Sequence, residues 1–459
     1  MYLKRSVYSK FLEWKNSKFK KVLLVEGARQ VGKTYLSKKF AYENFENVIY
    51  INLLEDTGLR LLTCYEDIQK DIKEEILDIT DKAYNCAEEL FTRYSKRFIN
   101  SKETIIIIDE VQESSKIFNK IRNFARNLNC YVIVTGSYLG RTVLEKEFWY
   151  SAGDYEALEI TPLSFQEFLE SAGSFDEYRK LDLYGKSPKD NYDDIENLFK
   201  SYLYIGGFPA VVQEYLTTKD VQRCYSLLRE IVDIYCKESS SYFSDIDDKL
   251  IFNQTLSEIC RMLLKEKKGL GGTALNEYIY KELSKNGDTS ISKRVCTRVL
   301  SWLLTSKMFN YCGKAVECDL LSVSENQRCY LSDNGLLNYL LLQVGADRAT
   351  RKGILYENYV FNVLNNKFIF KPSFGTLGNG ELDFILRSPR DEKVYGIEVK
   401  FGKNAGKTIT TALKKKKINY AVYLKGNTYG GIDEKTYTMP IYLLEKFNFD
   451  LGGEVEDVF

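Results

Sequence analysis

A glycine-rich segment near the start of the chain has the residue types and the spacing of a phosphate-binding loop. Four residues separate Gly27 from Gly32, and Lys33 and Thr34 follow directly. Glycines allow a tight turn whose N–H groups point at phosphate oxygens. The lysine would reach the β- and γ-phosphates, and the hydroxyl would bind Mg²⁺. A run of strand length precedes the segment and a helical pattern follows it, as this motif requires. The residues predicted to bind ATP are Gly27, Ala28, Arg29, Gln30, Val31, Gly32, Lys33 and Thr34.

Two adjacent acids complete this candidate site. Residues 104–108, TIIII, predict a strand buried on both faces, and Asp109 and Glu110 follow it. Asp109 is predicted to bind the nucleotide's Mg²⁺ together with Thr34, and Glu110 to act as the general base on the attacking water. Two acids after a strand more often mark a solvated loop. Downstream of a complete phosphate loop, the functional interpretation is favoured.

The sequence indicates two further parts of the ATP site less clearly: a contact with the γ-phosphate and an arginine that stabilises the transition state. Residues 131–135 predict another strand of the sheet, and Ser137 just beyond it is expected to contact the γ-phosphate of ATP. A transition-state arginine could be Arg122, Arg126 or Arg141. Each of the three is more often simply a surface residue.

A second group of acids lies near the other end of the chain. Asp383 alternates with apolar residues inside a predicted strand. Glu398 and Lys400 are two residues apart in the next strand, so they share one face of the sheet. Together with Glu357 from a preceding helix, these three residues are predicted to converge into one catalytic set. Asp383 and Glu398 would bind one or two divalent ions, Mg²⁺ or Mn²⁺, and Lys400 would orient or deprotonate water.

The composition excludes several other kinds of chemistry. The 459 residues include no histidine, which excludes Ser-His-Asp triads, Cys-His pairs and His-bound metals. Ten cysteines, none in a C-x-x-C pair, argue against a four-ligand zinc site. The net charge of +1 means that any nucleic-acid surface must be local. No apolar run approaches the ~18 residues of a membrane span, and the N-terminus lacks a secretion signal, so a cytoplasmic protein is expected.

The length favours about three domains, and the pattern along the chain predicts four segments. Strands at 21–26, 48–53, 104–109 and 131–135 alternate with helices and predict an α/β fold with a parallel sheet. A helical lid, a winged-helix-like domain and a small α/β domain follow. The predicted segments are 1–162, 163–239, 240–348 and 349–459. The last has the order αβββαβ, with helices at 353–364 and 407–417 and strands at 368–370, 380–386, 393–401 and 420–424.

Residues 275–311 predict a helix-turn-helix. The turn is placed at residues 286–288, and Ser290 or Ser292 caps the second helix. That helix presents the basic residues Lys293, Arg294 and Arg298. With a β-wing after it, the second helix would enter a DNA major groove. A protein–protein packing domain is the alternative, and the sequence leaves both open.

Six motifs together resemble a known family. They are EGARQVGKT, YINLLED, IIIIDEVQ, IVTGSYLG, LEITPLSFQEFL and YIGGFPAVV. This set resembles the bacterial and archaeal AAA-superfamily ATPases that carry an N-terminal AAA_14 domain and a C-terminal DUF4143 region. The resemblance implies an ATP-binding module that hydrolyses ATP, with a helical lid that begins after Pro162 and contains the GGFP turn at 206–209. The acid and E-x-K pattern resembles the PD-(D/E)XK nuclease core, which implies a restriction-endonuclease-like domain.

Two functions follow from these patterns. The first is a Mg²⁺-dependent ATPase with a nuclease-like core that acts on or binds DNA or RNA. The alternative is an ATP-driven switch or assembly module whose core is inactive and only binds nucleic acid or a protein partner; a homo-oligomer is left open. Asp383 and Glu398 could instead pair structurally with Lys400, Arg387 or Lys393. Nearby lysines could bind phosphates or form a solvated face: Lys403, Lys407, Lys414, Lys415, Lys416, Lys417 and Lys425.

Overall fold

The chain divides into two compact units, with the boundary after Thr161. The first is Arg5–Thr161, and the second is Pro162–Phe459 together with the first four residues. The computed structural model describes residues 3–19, 21–77, 85–137, 153–242, 250–267, 275–285, 291–400 and 406–453, without side chains at 239–242 and 325–327. No helix in these ranges is long and apolar enough to cross a membrane.

The first unit contains a five-stranded parallel sheet. Its strands are β1 (Val22–Glu26), β2 (Asn47–Asn52), β3 (Thr104–Asp109), β4 (Tyr131–Thr135) and β5 (Tyr155–Glu159), in the spatial order β2-β3-β4-β1-β5. Every pairing between neighbours is parallel. The parallel sheet that the sequence predicts is therefore confirmed. Strand β5 was not predicted: its residues are half-buried or exposed, and so lack the continuous apolar run of a central strand.

Helices surround this sheet and bury its isoleucine-rich centre. They are α1 (Tyr8–Lys15), α2 (Lys33–Asn44), α3 (Asp56–Lys73), α4 (Cys86–Tyr94), α5 (Ser115–Phe118) and α6 (Ile121–Asn127). All six residues of β3 are buried, as the TIIII run predicts. Because the strands are parallel, the ends of β1, β3 and β4 meet at one edge of the sheet. That edge carries the phosphate loop and the two acids.

The second unit begins with helices and ends in a mixed sheet. Its helices are α7 (Phe165–Ala172), α8 (Phe175–Lys180), α9 (Lys189–Ile205), α10 (Pro209–Thr218), α11 (Val221–Tyr242), α12 (Ile251–Lys267), α13 (Leu275–Ser284), α14 (Lys293–Thr305), α15 (Asn334–Gln343), α16 (Arg348–Lys367) and α17 (Lys407–Lys414). Its strands are β6 (Phe309–Ala315), β7 (Val323–Leu331), β8 (Ser373–Leu377), β9 (Gly380–Arg387), β10 (Val394–Lys400), β11 (Tyr420–Lys425), β12 (Gly431–Asp433) and β13 (Thr436–Pro440). The spatial order is β12-β13-β11-β10-β9-β8-β6-β7.

The GGFP turn of this unit is a structural junction. The Gly207 N–H donates a hydrogen bond to Asp333 Oδ2 (2.7 Å), and the Leu336 N–H donates to Asp333 Oδ1 (2.8 Å) at the start of α15. A Cβ at Gly206 would lie 2.2 Å from the same carboxylate, and one at Gly207 would lie 2.1 Å from the Leu163 carbonyl oxygen. Burial raises the pKa of Asp333 to about 6. The two glycines are needed because backbone and carboxylate approach too closely for any side chain.

The segment α13–α14–β6–β7 has the element order predicted for the winged-helix-like domain. Ser292 caps α14 by accepting a hydrogen bond from the Val295 N–H (3.2 Å), as predicted. The predicted turn at 286–288 and Ser290 lie outside the described residues. Strand β6 pairs in parallel with β8, so the hairpin at residues 309–331, called the wing hairpin below, belongs to the C-terminal sheet. The predicted boundary at 348 therefore runs through one continuous sheet.

The order α16–β8–β9–β10–α17–β11 matches the predicted αβββαβ order, but the prediction misplaced its first strand. Residues 368–370 are not a strand; β8 begins at Ser373, after Pro372. Proline has no N–H to donate and is poorly tolerated inside a sheet, so pairing starts only beyond it. Ile369 and Phe370, which suggested a strand, are exposed.

Candidate nucleotide site and C-terminal acidic site

The phosphate loop follows β1 directly and leads into α2. Gly27 has φ +140° and Gly32 has φ +96°, conformations that side chains rarely adopt. A Cβ at Gly27 would also lie 2.1 Å from the carbonyl oxygen of Ile160. Both glycines of the motif are therefore required by the backbone, as the sequence predicts.

Lys33 is buried beneath this loop at the first turn of α2. Its Nζ donates hydrogen bonds to the carbonyl oxygens of Gly27 (3.0 Å) and Ala28 (2.8 Å). Burial lowers the pKa of Lys33 to about 8; the neighbouring Arg29 also lowers it, while Glu110 and Asp109 raise it. The ammonium group is held at the loop by carbonyls that a phosphate could replace.

Asp109 connects three elements at the edge of the sheet. Its Oδ2 accepts hydrogen bonds from Thr34 Oγ1 (2.7 Å) and from the Tyr50 hydroxyl (2.9 Å), and its Oδ1 accepts one from the Thr135 hydroxyl. The two residues predicted to bind Mg²⁺, Thr34 and Asp109, thus touch one another. Hydroxyl and carboxylate oxygens are the donors that Mg²⁺ prefers, so this pair fits the ion.

Glu110 has a left-handed backbone, with φ +56°. Its Oε2 accepts a hydrogen bond from Gln112 Nε2 (2.6 Å), and its Oε1 lies 3.7 Å from Nη1 of Arg29 in the phosphate loop. A non-glycine residue in this conformation is uncommon and recurs at functional sites. The predicted base is thus oriented by two side chains, one of them in the loop that would hold the phosphates.

The structure says less about the roles of the remaining predicted residues of this site. Ser137 is buried two residues beyond β4, and its contact with a γ-phosphate stays a prediction. Arg126 and Arg122 pair with Asp154 at 2.7 Å and 3.8 Å. The Asp154 carbonyl accepts a hydrogen bond from the N–H of Val22, the first residue of β1. The two arginines that pair with Asp154 therefore lie at the opposite end of β1 from the phosphate loop. Arg141 lies outside the described residues.

At the C-terminal site, β9 and β10 bring three of the four predicted residues together. The Val399 N–H donates to Asp383 Oδ2 (2.7 Å), and Lys400 Nζ is 2.5 Å from Glu398 Oε1. Glu398 is 4% exposed, and its Oε2 has no hydrogen-bond partner within the part of the chain that the structure describes. Burial and the charge of Asp383 raise the pKa of Glu398 to about 7, although Lys400 opposes them.

Glu357, the fourth predicted residue, is engaged elsewhere. It is buried on α16, where its Oε1 accepts a hydrogen bond from the Tyr330 hydroxyl (2.8 Å) and lies 3.9 Å from Arg328 Nη1. Within the described ranges, no three Cys, Asp or Glu side chains are placed to hold one metal ion. In the described ranges Glu357 therefore contacts Arg328 and Tyr330 and is not part of a three-carboxylate metal cluster, and its place in the catalytic set stays a prediction.

Four residues contact the predicted acids in ways that the sequence did not indicate. They are Tyr50 and Thr135 beside Asp109, and Arg328 and Tyr330 beside Glu357. Thr135 could have been found, since it ends a predicted strand beside the one that ends in Asp109. Tyr50 requires the register of β2 against β3, in which Asn52 pairs with Asp109. Arg328 and Tyr330 of β7 could not be linked to this site from the sequence, because the predicted boundary at 348 places the wing hairpin in another domain.

Comparison with known proteins finds two family models along the chain. Residues 19–169 match AAA_14, described as an AAA domain. Residues 196–347 match DUF8612, a domain of unknown function. An uncharacterized protein of Haemophilus influenzae is 24% identical over 413 residues, which is 87% of either chain. The predicted DUF4143 resemblance is not part of these matches and stays a prediction.

Two solved structures are similar at low identity. The Walker-type ATPase PABY2304 of Pyrococcus abyssi is 17% identical, with a TM-score of 0.45, and the match covers 74% of this chain and 96% of that one. The Aeropyrum pernix ORC1 protein in complex with DNA is 16% identical, with a TM-score of 0.30, over 77% of this chain and 91% of that one. The AAA part of the predicted resemblance rests on the family match and on the parallel sheet: the N-terminal unit is similar to an AAA domain.

Proposed function

We propose that the first unit binds ATP with Mg²⁺ and hydrolyses it. The observation that carries this proposal is the 2.7 Å contact between Thr34 and Asp109, formed beside a phosphate loop in which Lys33 is buried. The match of residues 19–169 to an AAA domain supports it. A phosphate loop without these contacts would support only a general resemblance to ATP-binding proteins.

Each residue has a defined task in this proposal. The loop N–H groups and Lys33 bind the phosphates, and Thr34 and Asp109 hold Mg²⁺, which when bound neutralises charge on the phosphate oxygens. Glu110 accepts the proton of the attacking water. Tyr50 and Thr135 fix the Asp109 carboxylate by donating hydrogen bonds to it.

Replacing Asp109 by Asn tests the assignment. The variant keeps the shape of the side chain but removes the charge that would bind Mg²⁺, so we expect ATP turnover to fall at least ~10²-fold. The measurement is phosphate release by the purified full chain with Mg²⁺. Asp67→Asn, an exposed position on α3, is the matched control and should retain full activity. Turnover that survives in Asp109→Asn would contradict the assignment of Asp109 as the Mg²⁺ ligand.

A second function is favoured by one observation at the C-terminal site. The buried Glu398 carboxylate has an oxygen without a partner among the described residues and lies beside Asp383 and Lys400. We infer that Asp383 and Glu398 bind a divalent cation and that this nuclease-like core acts on or binds nucleic acid. Lysines on and after α17 support phosphate contacts, since Lys407, Lys414, Lys415, Lys416 and Lys417 are exposed and Lys425 is half-buried. Lys403 lies outside the described residues.

Manganese binding tests this second proposal. In the Asp109→Asn background, which removes the cation ligand of the first unit, Asp383→Asn should lower the affinity for Mn²⁺ at least ~10-fold by removing one of two carboxylates. Calorimetry on the folded chain measures it, with the exposed Asp433→Asn as the matched control. Identical binding in all three proteins would refute the site.

Activity separates the two forms of this proposal. A nuclease would nick plasmid, single-stranded DNA or RNA in the presence of Mg²⁺ or Mn²⁺, and Lys400→Ala would abolish the nicking. An ATP-driven switch or assembly module would bind the same nucleic acids, or a protein partner, without cleaving them. The winged-helix order of α13, α14 and the wing hairpin supports a DNA contact in either case.

A further inference from the structure

One arginine lies among the acids of the C-terminal site. Arg328 of β7 reaches Glu381 of β9, with Nη2 2.7 Å from Oε2, and its Nη1 is 3.9 Å from Oε1 of Glu357 on α16. Its guanidinium carbon lies 4.0 Å from the centre of the Phe374 ring. The side chain is 17% exposed, so it is a mostly buried cation with fixed neighbours.

The charge around Arg328 extends to further acids. Burial alone would lower its pKa, but neighbouring groups, including Glu266 of α12 and Asp383 of β9, raise it above its ordinary value. Asp383 also acts on Glu398, raising the pKa of that carboxyl. The charge of Asp383 therefore acts on both Arg328, which contacts Glu357, and Glu398, which contacts Lys400.

We propose that Arg328 is the built-in cation of this site. Its guanidinium compensates Glu357 and Asp383 and thereby excludes a divalent ion from their side, leaving Asp383 and Glu398 as the pair that can bind one. Glu357, the remaining acid of the predicted catalytic set, is instead held by Arg328 and Tyr330 of the wing hairpin. The cause is electrostatic, because the buried Glu357 carboxylate and the half-buried Asp383 carboxylate need a positive charge nearby, and a resident guanidinium removes the need for a metal.

This inference rests on the second proposed function, and its consequence is specific. Without Arg328, Glu357 and Asp383 lose their compensating charge, so the folded chain should be less stable and should recruit a cation in its place. A structural ion pair alone would produce the loss of stability but not the recruitment. The gain in metal binding is therefore the deciding measurement.

The experiment uses the full chain in the Asp109→Asn background, without nucleotide, and Mn²⁺ as the probe. Arg328→Gln should bind Mn²⁺ at least ~10-fold more tightly than the parent. Its melting temperature should fall by roughly 5 °C or more without metal and recover with Mn²⁺. Arg328→Lys, which keeps the charge, should show neither the gain in Mn²⁺ affinity nor the recovery of melting temperature with Mn²⁺. Arg387→Gln is the matched control, because this exposed arginine of β9 donates to the carbonyl of Glu392 rather than to an acid.

A double variant keeps the test decisive if Arg328→Gln folds poorly. In Arg328→Gln with Glu357→Gln, one of the uncompensated acids is also removed, so stability should return without metal and the gain in Mn²⁺ affinity should disappear. Equal Mn²⁺ binding in Arg328→Gln and the parent would overturn the inference if Asp383→Asn still weakens that binding. If Asp383→Asn has no effect either, the proposed metal site itself is refuted.

Discussion

Glu110→Gln is expected to bind ATP nearly as well as the wild-type chain and to hydrolyse it at least ~10²-fold more slowly. Glutamine preserves the size of the side chain and can still accept a hydrogen bond from Gln112, but it cannot take a proton from water. Binding is measured by titration with a fluorescent ATP analogue and turnover by phosphate release. The exposed Glu103→Gln, which lies just before β3, is the matched control and should lose neither.

The Arg29–Glu110 contact offers a second explanation that the same experiment can exclude. Glu110→Gln also removes the charge that faces Arg29 at 3.7 Å, and Arg29 belongs to the phosphate loop. Arg29→Met removes that contact but keeps the base. If both variants lost binding and turnover to the same extent, Glu110 would serve to shape the loop rather than to deprotonate water.

The nucleotide site could be predicted because its parts are local in sequence. The glycines, Lys33 and Thr34 lie within eight residues, and Asp109 and Glu110 end an unbroken apolar strand. In a parallel sheet the carboxyl ends of the strands meet at one edge, so two local patterns suffice to place the site. What could not be predicted is the register that brings Tyr50 to Asp109, since register depends on pairing between distant segments.

The C-terminal site was only partly predictable, for a related reason. Glu398 and Lys400 share a strand, and β9 is the next strand along the sheet, so their proximity follows from alternation and a short connection. Arg328 comes from the wing hairpin, which precedes α16 in sequence and joins the sheet at β8 through a parallel pairing. No local sequence pattern predicts such a long-range pairing. The sequence therefore indicated the acids of the site without the cation that faces them.

ATP affinity should fall as the pH rises above about 8, by up to tenfold per pH unit, because Lys33 then loses its charge. The pKa of Lys33 is lowered to about 8, so its ammonium form dominates below that pH and its neutral form above it. ATP selects the charged form, since the contact with the β- and γ-phosphates is charge-assisted. Binding above pH 8 must therefore include uptake of a proton, which weakens the apparent affinity.

The test is a titration of ATP affinity between pH 7 and 9.5 at constant salt and Mg²⁺, where the terminal phosphate, with a second pKa of roughly 6, is already ionised. Lys33→Ala should bind at least ~10-fold more weakly at pH 7 and should show no fall above pH 8. Lys33→Arg keeps its charge throughout, so it should give a flat profile whatever its absolute affinity. A fall of the same slope in Lys33→Arg would assign the pH dependence to another group, because an arginine cannot lose its proton in this range.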